Sequence, residues 1–182
     1  MTISRKFLFI AIATVTLAAC GKGDKDKAAG GGGDKKKDKA PPAAAWIKVD
    51  KLGVQLEMAS DTKADPGAGD SFMISSPSVN DCTVMLDKEK PDMMESYDKV
   101  LGQIKEAKMG NGKLKSMKKE EKGADGGWKL VWESEGMDPK QTSYGVNYRV
   151  MIDGAAYGCV RNTSTPEGQA CVAKACDSLK KL

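Results

Sequence analysis

Between Trp46 and Leu182, apolar and polar positions alternate in short stretches. Leu52, Val54, Leu56 and Met58 alternate with Gly53, Gln55, Glu57 and Ala59, the period-two pattern of a half-buried strand. "SFMISSP" and "CTVMLDK" are two further β-like runs, parted by the turn-rich "SPSVND". Trp128, Leu130 and Trp132 share one face of a strand, and Tyr144, Val146, Tyr148, Val150 and Ile152 share one face of the next. Asp153-Gly154 then gives a two-residue hairpin signal. That turn sets Val150 opposite Tyr157 and Tyr148 opposite Cys159.

Two segments change to helical period. "DMMESYDKVLGQIKEAKM" opens with Asp92 and has Glu95 three residues later, a start like a capping box. Its Met93, Met94, Tyr97, Val100, Leu101, Ile104 and Ala107 form one stripe. "TPEGQACVAKACDSLKKL" offers Thr165 as N-cap and Pro166 at the first helical position. Cys171, Val172, Ala175, Cys176, Leu179 and Leu182 cluster on its wheel, while Lys174, Asp177, Lys180 and Lys181 face away. The order of strands, helix, strands, helix predicts an α+β fold, an antiparallel sheet of about six strands with two packed helices. This element order resembles the PsbP-like αβα sandwich, the fold of an extrinsic photosystem II protein and of many small bacterial lipoproteins. The resemblance implies the sandwich and carries no functional residue over to this chain.

Before Trp46 the pattern is different. Arg5 and Lys6 precede a predominantly apolar stretch of eleven residues, Phe7 to Leu17, followed by Ala18, Ala19 and Cys20. A positive start, a short apolar run and small residues describe a secretory signal, and the run is short of the ~20 residues that span a bilayer. "LAAC" at Leu17–Cys20 resembles the lipobox of bacterial lipoproteins. The resemblance implies a signal peptide over residues 1–19, cleavage before Cys20, a thioether diacylglycerol on Cys20 and acylation of the new amino terminus. Two or more chains, at about 0.8 kcal/mol per buried CH₂, make a durable anchor. Gly21 and Lys22 follow Cys20, where an aspartate is the familiar inner-membrane retention signal, so the expected address is the outer membrane of a bacterial envelope. This covalent lipid is the one non-protein group expected, with no cofactor and no metal.

Residues 20–45 read as a lipid-anchored disordered linker. They lack aromatic residues and hydrophobic periodicity, so they cannot bury enough apolar surface to offset the entropy of ordering them. As a coil, the 25 residues after Cys20 span roughly 25–30 Å. The linker carries seven Lys and four Asp, whereas residues 46–182 carry 20 Lys plus Arg against 21 Asp plus Glu. The single α+β domain expected over residues 46–182 is therefore near neutral, without the basic excess of a nucleic-acid-binding domain.

Four cysteines remain: Cys82, Cys159, Cys171 and Cys176. An even number in an exported chain reads as disulfides. Cys171 and Cys176 lie about 140° apart around one helix and roughly 7.5 Å along it, too far to join each other within the usual ~7 Å Cα limit. Each is then expected to reach a sheet cysteine. Cys159–Cys176 with Cys82–Cys171 is preferred, because the last strand feeds directly into the helix that covers it, and the swapped pairing stays open. No CxxC pair occurs, which disfavours thioredoxin-like redox chemistry and a four-thiolate zinc site.

The chain has no histidine, which excludes His-based triads and imidazole metal sites. The carboxylate pairs Glu120-Glu121 and Glu133/Glu135 sit on lysine-rich, strand-like runs and read as a solvated face. The methionines, Met93 and Met94 among them, read as core filler rather than copper ligands. No catalytic residue is expected. The expected function is a membrane-anchored envelope lipoprotein presenting a small disulfide-stapled binding or scaffold domain. Its partners would be membrane lipid, through the anchor, and an envelope protein, peptide or polymer. The alternatives are a hydrolase using carboxylates and a purely structural surface lipoprotein.

Overall fold

The computed structural model describes residues 42–107 and 112–182. In chain order the strands are β1 (Ala44–Val49), β2 (Val54–Ala59), β3 (Lys63–Pro66), β4 (Ser71–Ser75), β5 (Thr83–Lys88), β6 (Leu114–Lys122), β7 (Trp128–Glu135), β8 (Thr142–Ile152), β9 (Ala155–Thr163) and β10 (Lys180–Lys181). The helices are α1 (Tyr97–Lys105) and α2 (Pro166–Asp177). Cys20, the expected signal peptide and the expected linker up to residue 41 lie outside the described residues, as do Lys108 and Met109 at the end of the first expected helix.

Asp153 and Gly154 both have positive φ, 50° and 79°, as the favoured two-residue hairpin turn requires. The turn fixes the register of β8 on β9, with Val150 opposite Tyr157 and Tyr148 opposite Cys159. Antiparallel pairing extends this hairpin into a seven-stranded sheet of order β3-β4-β5-β9-β8-β7-β6. A separate antiparallel sheet has the order β1-β2-β10. The fold is thus mixed α+β with two helices, and its strands number ten in two sheets rather than about six in one. The additional strands are β1, β3, β6 and β10. β6, "LKSMKKEEK", is an edge strand with charged residues on both faces and two register irregularities, the features that protect a sheet edge and erase period-two alternation. β3 has four residues and ends in Pro66, which suits an edge position.

β1 begins at Ala44, two residues before the boundary drawn from composition. Its backbone pairs with β2, Ala44 opposite Ala59, and pairing of this kind does not depend on side-chain chemistry. α1 starts at Tyr97, not at Asp92. Pro91–Met93 makes a single tight turn, Met94 is extended, and Ser96 caps the helix by accepting from the Lys99 N–H at 3.2 Å. Met93 is consequently 72% exposed and Met94 38%, which corrects their expected place in the core. α2 begins as expected. Thr165 Oγ1 accepts from the Gly168 N–H at 3.1 Å, and Pro166 stands at the first helical position. It ends at Asp177, and the tail continues as β10, with Lys180 opposite Gln55.

One face of the large sheet meets α2. Leu56, Ile74, Val84, Leu86, Val146, Tyr148, Cys159, Val172 and Cys176 are fully buried there in one cluster that also takes in Val49 and Val54. On the opposite face Val100 and Ile104 of α1 pack on Trp128, Leu130 and Trp132. Cys82 is joined to Cys171 with Cα atoms 5.7 Å apart, and Cys159 to Cys176 at 5.8 Å. Both links tie α2 to the sheet. The double substitution Cys159→Ala/Cys176→Ala should lower the unfolding free energy of the oxidised protein by about 3 kcal/mol or more, the value for closing a loop of this length. Chemical denaturation of the two proteins measures the difference; an unchanged midpoint and slope would contradict the clamp.

Candidate ligand cleft on the outer sheet face

The face opposite α2 is only partly covered. α1 lies over the β6–β7 end, and the other end leaves Met73 of β4 and Met85 of β5 exposed. Strand register draws a straight row across this face. Ser71 is opposite Asp87, Asp87 opposite Gly158, Gly158 opposite Arg149, Arg149 opposite Trp128, and Trp128 opposite Lys122. Directly opposed residues point to the same side of a sheet, so the row is a line of side chains.

Arg149 is the centre of the row and is 6% exposed. Its guanidinium carbon lies 3.6 Å from the centroid of the Trp128 ring, an arrangement worth about 2 kcal/mol when desolvated. Nη2 pairs with Glu89 Oε2 at 2.5 Å, and Nη1 donates to the Glu95 carbonyl at 2.7 Å. Glu95 directly precedes the cap of α1, so one side chain ties β8 to β7, to the segment after β5 and to the start of the helix. Arg149 Nε and Trp128 Nε1 are buried without a hydrogen-bond partner among the described residues. Gly158 lies beside them, where an added Cβ would stand 2.8 Å from Asp87 Oδ1 and push that carboxylate aside.

A cleft of about 490 Å³ opens over the row, bounded by Asp87, Glu89, Met93, Asn147, Arg149 and Val160. That volume is within the range of small-ligand sites. A second hollow of about 300 Å³ shares Asn147 and Val160 with it and adds Met85 and Trp132. The two make one groove along the uncovered face. Trp132 can lie flat at its far end because Gly145, opposite it on β8, has no side chain to displace the indole. Burial raises the Asp87 pKa, the Glu89 charge raises it further, and Arg149 opposes both. The Lys99 hydrogen bond holds Glu95 below its ordinary value. The groove therefore combines apolar walls, amide side chains and a neutralised ion pair, a lining suited to binding.

Cys20 lies outside the described residues, and Cys82, Cys159, Cys171 and Cys176 all serve the α2 clamp away from the cleft. The carboxylates singled out in the sequence are paired on β6 and β7. Glu120 meets Lys105 at 3.5 Å and accepts from the Tyr97 hydroxyl, Glu121 meets Lys119 at 4.0 Å, and Glu133 meets Lys118 at 3.2 Å. Glu135 accepts from the Lys113 N–H at 3.4 Å. Sequence reasoning missed Asp87, Glu89, Trp128 and Arg149 as a group. The signal that could have found them is the hairpin register itself: setting Tyr148 against Cys159 also sets Arg149 against a glycine, on the face that alternation assigned to solvent.

Among solved structures the chain is similar to the solution structure of cyanobacterial PsbP (CyanoP) from Synechocystis sp. PCC 6803. Identity is 9%, the TM-score 0.49, and the match covers 79% of this chain and 95% of that one. No family model and no curated protein matches the chain. The cleft is accordingly read from this chain's own side chains.

Two substitutions separate the electrostatic roles. Glu89→Gln leaves Arg149 buried without its counter-charge and should cost roughly 2–3 kcal/mol, less than the 3–5 of a fully buried pair because Glu89 keeps some water. Asp87→Asn should act oppositely and with pH. A raised folded-state pKa means the native protein binds that proton more tightly, so wild-type stability falls as pH rises from the unfolded aspartate value, about 4, through the folded value. The Asn variant escapes that loss. Paired thermal melts should show it more stable than wild type at pH 7 and equal to it at pH 3.5; a gap of the same size at both pH values would contradict this assignment.

Proposed function

We propose that the chain is a lipid-anchored protein of the bacterial envelope with three parts: an acylated Cys20, a linker and a domain that binds a partner in the groove beside Arg149. The observation that carries the binding role is the uncovered outer face, where Met73 and Met85 are exposed next to a cleft floored by a buried, cross-braced arginine. An exposed apolar surface beside a well-formed concavity marks interaction sites. The partner class is an envelope protein, peptide or cell-wall polymer. The near-neutral domain gives no footing for nucleic acid. The "LAAC" motif supports the anchor, and Gly21 and Lys22 after Cys20 support the outer membrane.

A carboxylate-using hydrolase is the second reading, favoured by one observation. Asp87 has a raised pKa inside a cleft, which is where acid/base residues are found. Two free carboxylates are needed for glycoside hydrolysis, however, and here Glu89 is held by Arg149 and Glu95 by Lys99 at 2.6 Å. Binding without catalysis accounts for these pairings better.

The test uses the full chain in a bacterial host. A photo-cross-linking residue replaces Met85 in the groove or, as a control, Glu167 on α2 across the sheet. A discrete adduct is expected from position 85 and none from 167, and Cys20→Ala should release the protein from the membrane fraction. Equal adducts from both positions would remove the groove from the reading, and membrane retention of the Cys20→Ala chain would remove the anchor.

A further inference from the structure

We infer that the outward face of the β1-β2-β10 sheet rests against an anionic lipid surface, with Trp46 at the interface. Alternation along β1 buries Val49, half-buries Ile47 and turns Trp46 and Lys48 outward. Val54, Leu56 and Met58 of β2 point into the core, which leaves Gln55 and Glu57 on the outer side with them. Trp46 is 44% exposed, whereas Trp128 and Trp132 are buried. Lys180 of β10 sits with Nζ 3.6 Å from the Trp46 ring centroid. Lys174 of α2 reaches the same side and meets Glu57 at 3.2 Å. Around Trp46 the face thus presents Lys48, Lys174 and Lys180 against Glu57.

A tryptophan ringed by lysines matches the two chemistries of a headgroup layer. Its amphipathic ring prefers the boundary between acyl chains and water, and lysines are drawn to anionic lipid. Ala43 and Ala44, where the linker meets the sheet, hydrogen-bond and pair with the end of β2 on this same sheet. The linker therefore delivers the domain to the membrane with this sheet at its point of attachment. The inference extends the anchor reading, because a lipid at Cys20 would hold the face at millimolar effective concentration, where a weak contact is occupied. It also leaves the groove on the far side of the large sheet open to a partner.

The contact can be tested without lipidation. The chain from residue 20 onward, carrying Cys20→Ala, is mixed with phosphatidylglycerol/phosphatidylcholine vesicles or with phosphatidylcholine alone. Trp46 is the exposed tryptophan among three, so intrinsic fluorescence reports this face. Emission should move to the blue on the anionic vesicles only and be quenched by brominated acyl chains. Lys48→Ala/Lys180→Ala should weaken vesicle binding roughly 25-fold, about fivefold per lysine. Unchanged Trp46 emission on vesicles that do bind the chain would show that the linker lysines make the contact and overturn the inference. Equal binding to neutral vesicles, or a concentration-dependent blue shift in lipid-free buffer from self-association through Trp46, would also overturn it. Failure of this test leaves the Cys20 fractionation result standing, so the two readings separate.

Discussion

Helix α2 is fastened to the sheet by two disulfides, one at its middle and one near its C-terminal end. Cys171 reaches Cys82 just before β5, and Cys176, one turn and a half later, reaches Cys159 in the middle of β9. Between them Val172 and Ala175 press on a layer that includes Leu86, Val146 and Tyr148. Gln169 fixes the first turn by donating its side-chain amide to the carbonyls of Trp132 and Gly145, at 2.9 and 3.0 Å. Ser178 fixes the last one. Its hydroxyl accepts from the Glu57 N–H at 2.7 Å, which brings β2 and the small sheet against the helix. With so much of the apolar surface gathered on one side, the large sheet does not need a second full layer, and half of its other face stays open.

That open half has its own constraint. An arginine on a sheet face that is losing water destabilises the fold unless its charge is compensated. Trp128 stacks on it, Glu89 balances its charge, and the Glu95 carbonyl takes a further N–H. The same bonds that settle Arg149 also position α1 and the turn before it, so the cleft walls are braced by the group at its floor. The three-stranded sheet, by contrast, shows solvent a tryptophan with Lys180 over its ring. The domain thus has two faces of different chemistry: a mixed apolar and polar groove on the large-sheet face away from α2, and a basic aromatic surface on the three-stranded sheet.

What the chain reveals of this depends on which constraint wrote each residue. β8 and β9 were legible because Asp153-Gly154 admits one tight turn and alternation then sets every pair. The start of α2 was legible because Thr165 and Pro166 are used where helix geometry needs them. β6 and β10 were not, since an edge strand is stabilised by backbone pairing and carries charge on both sides for solubility. The late start of α1 was hidden by Asp92 and Glu95, which mimic a capping box, while the working cap is Ser96. Arg149 was hidden for a further reason. A charged residue on the polar register of a strand reads as solvated, and its burial follows only from Trp128 and Gly158 on the neighbouring strands and Glu89 in the segment after β5.

The central claim is that α2, held by two links to the sheet, organises the domain while the α1 side is a separate, lesser unit. Native-state hydrogen exchange of the folded domain, followed with and without reductant, tests this most directly. The oxidised protein should protect the amides of α2, β8 and β9 at the level of global unfolding, with α1 opening more easily. Reduction should lower protection first in α2 and β2 and leave the pairing of β7 with β8 comparatively unchanged. Uniform loss of protection across the sheet and both helices on reduction, or α2 amides that exchange as freely as α1 in the oxidised protein, would contradict the account.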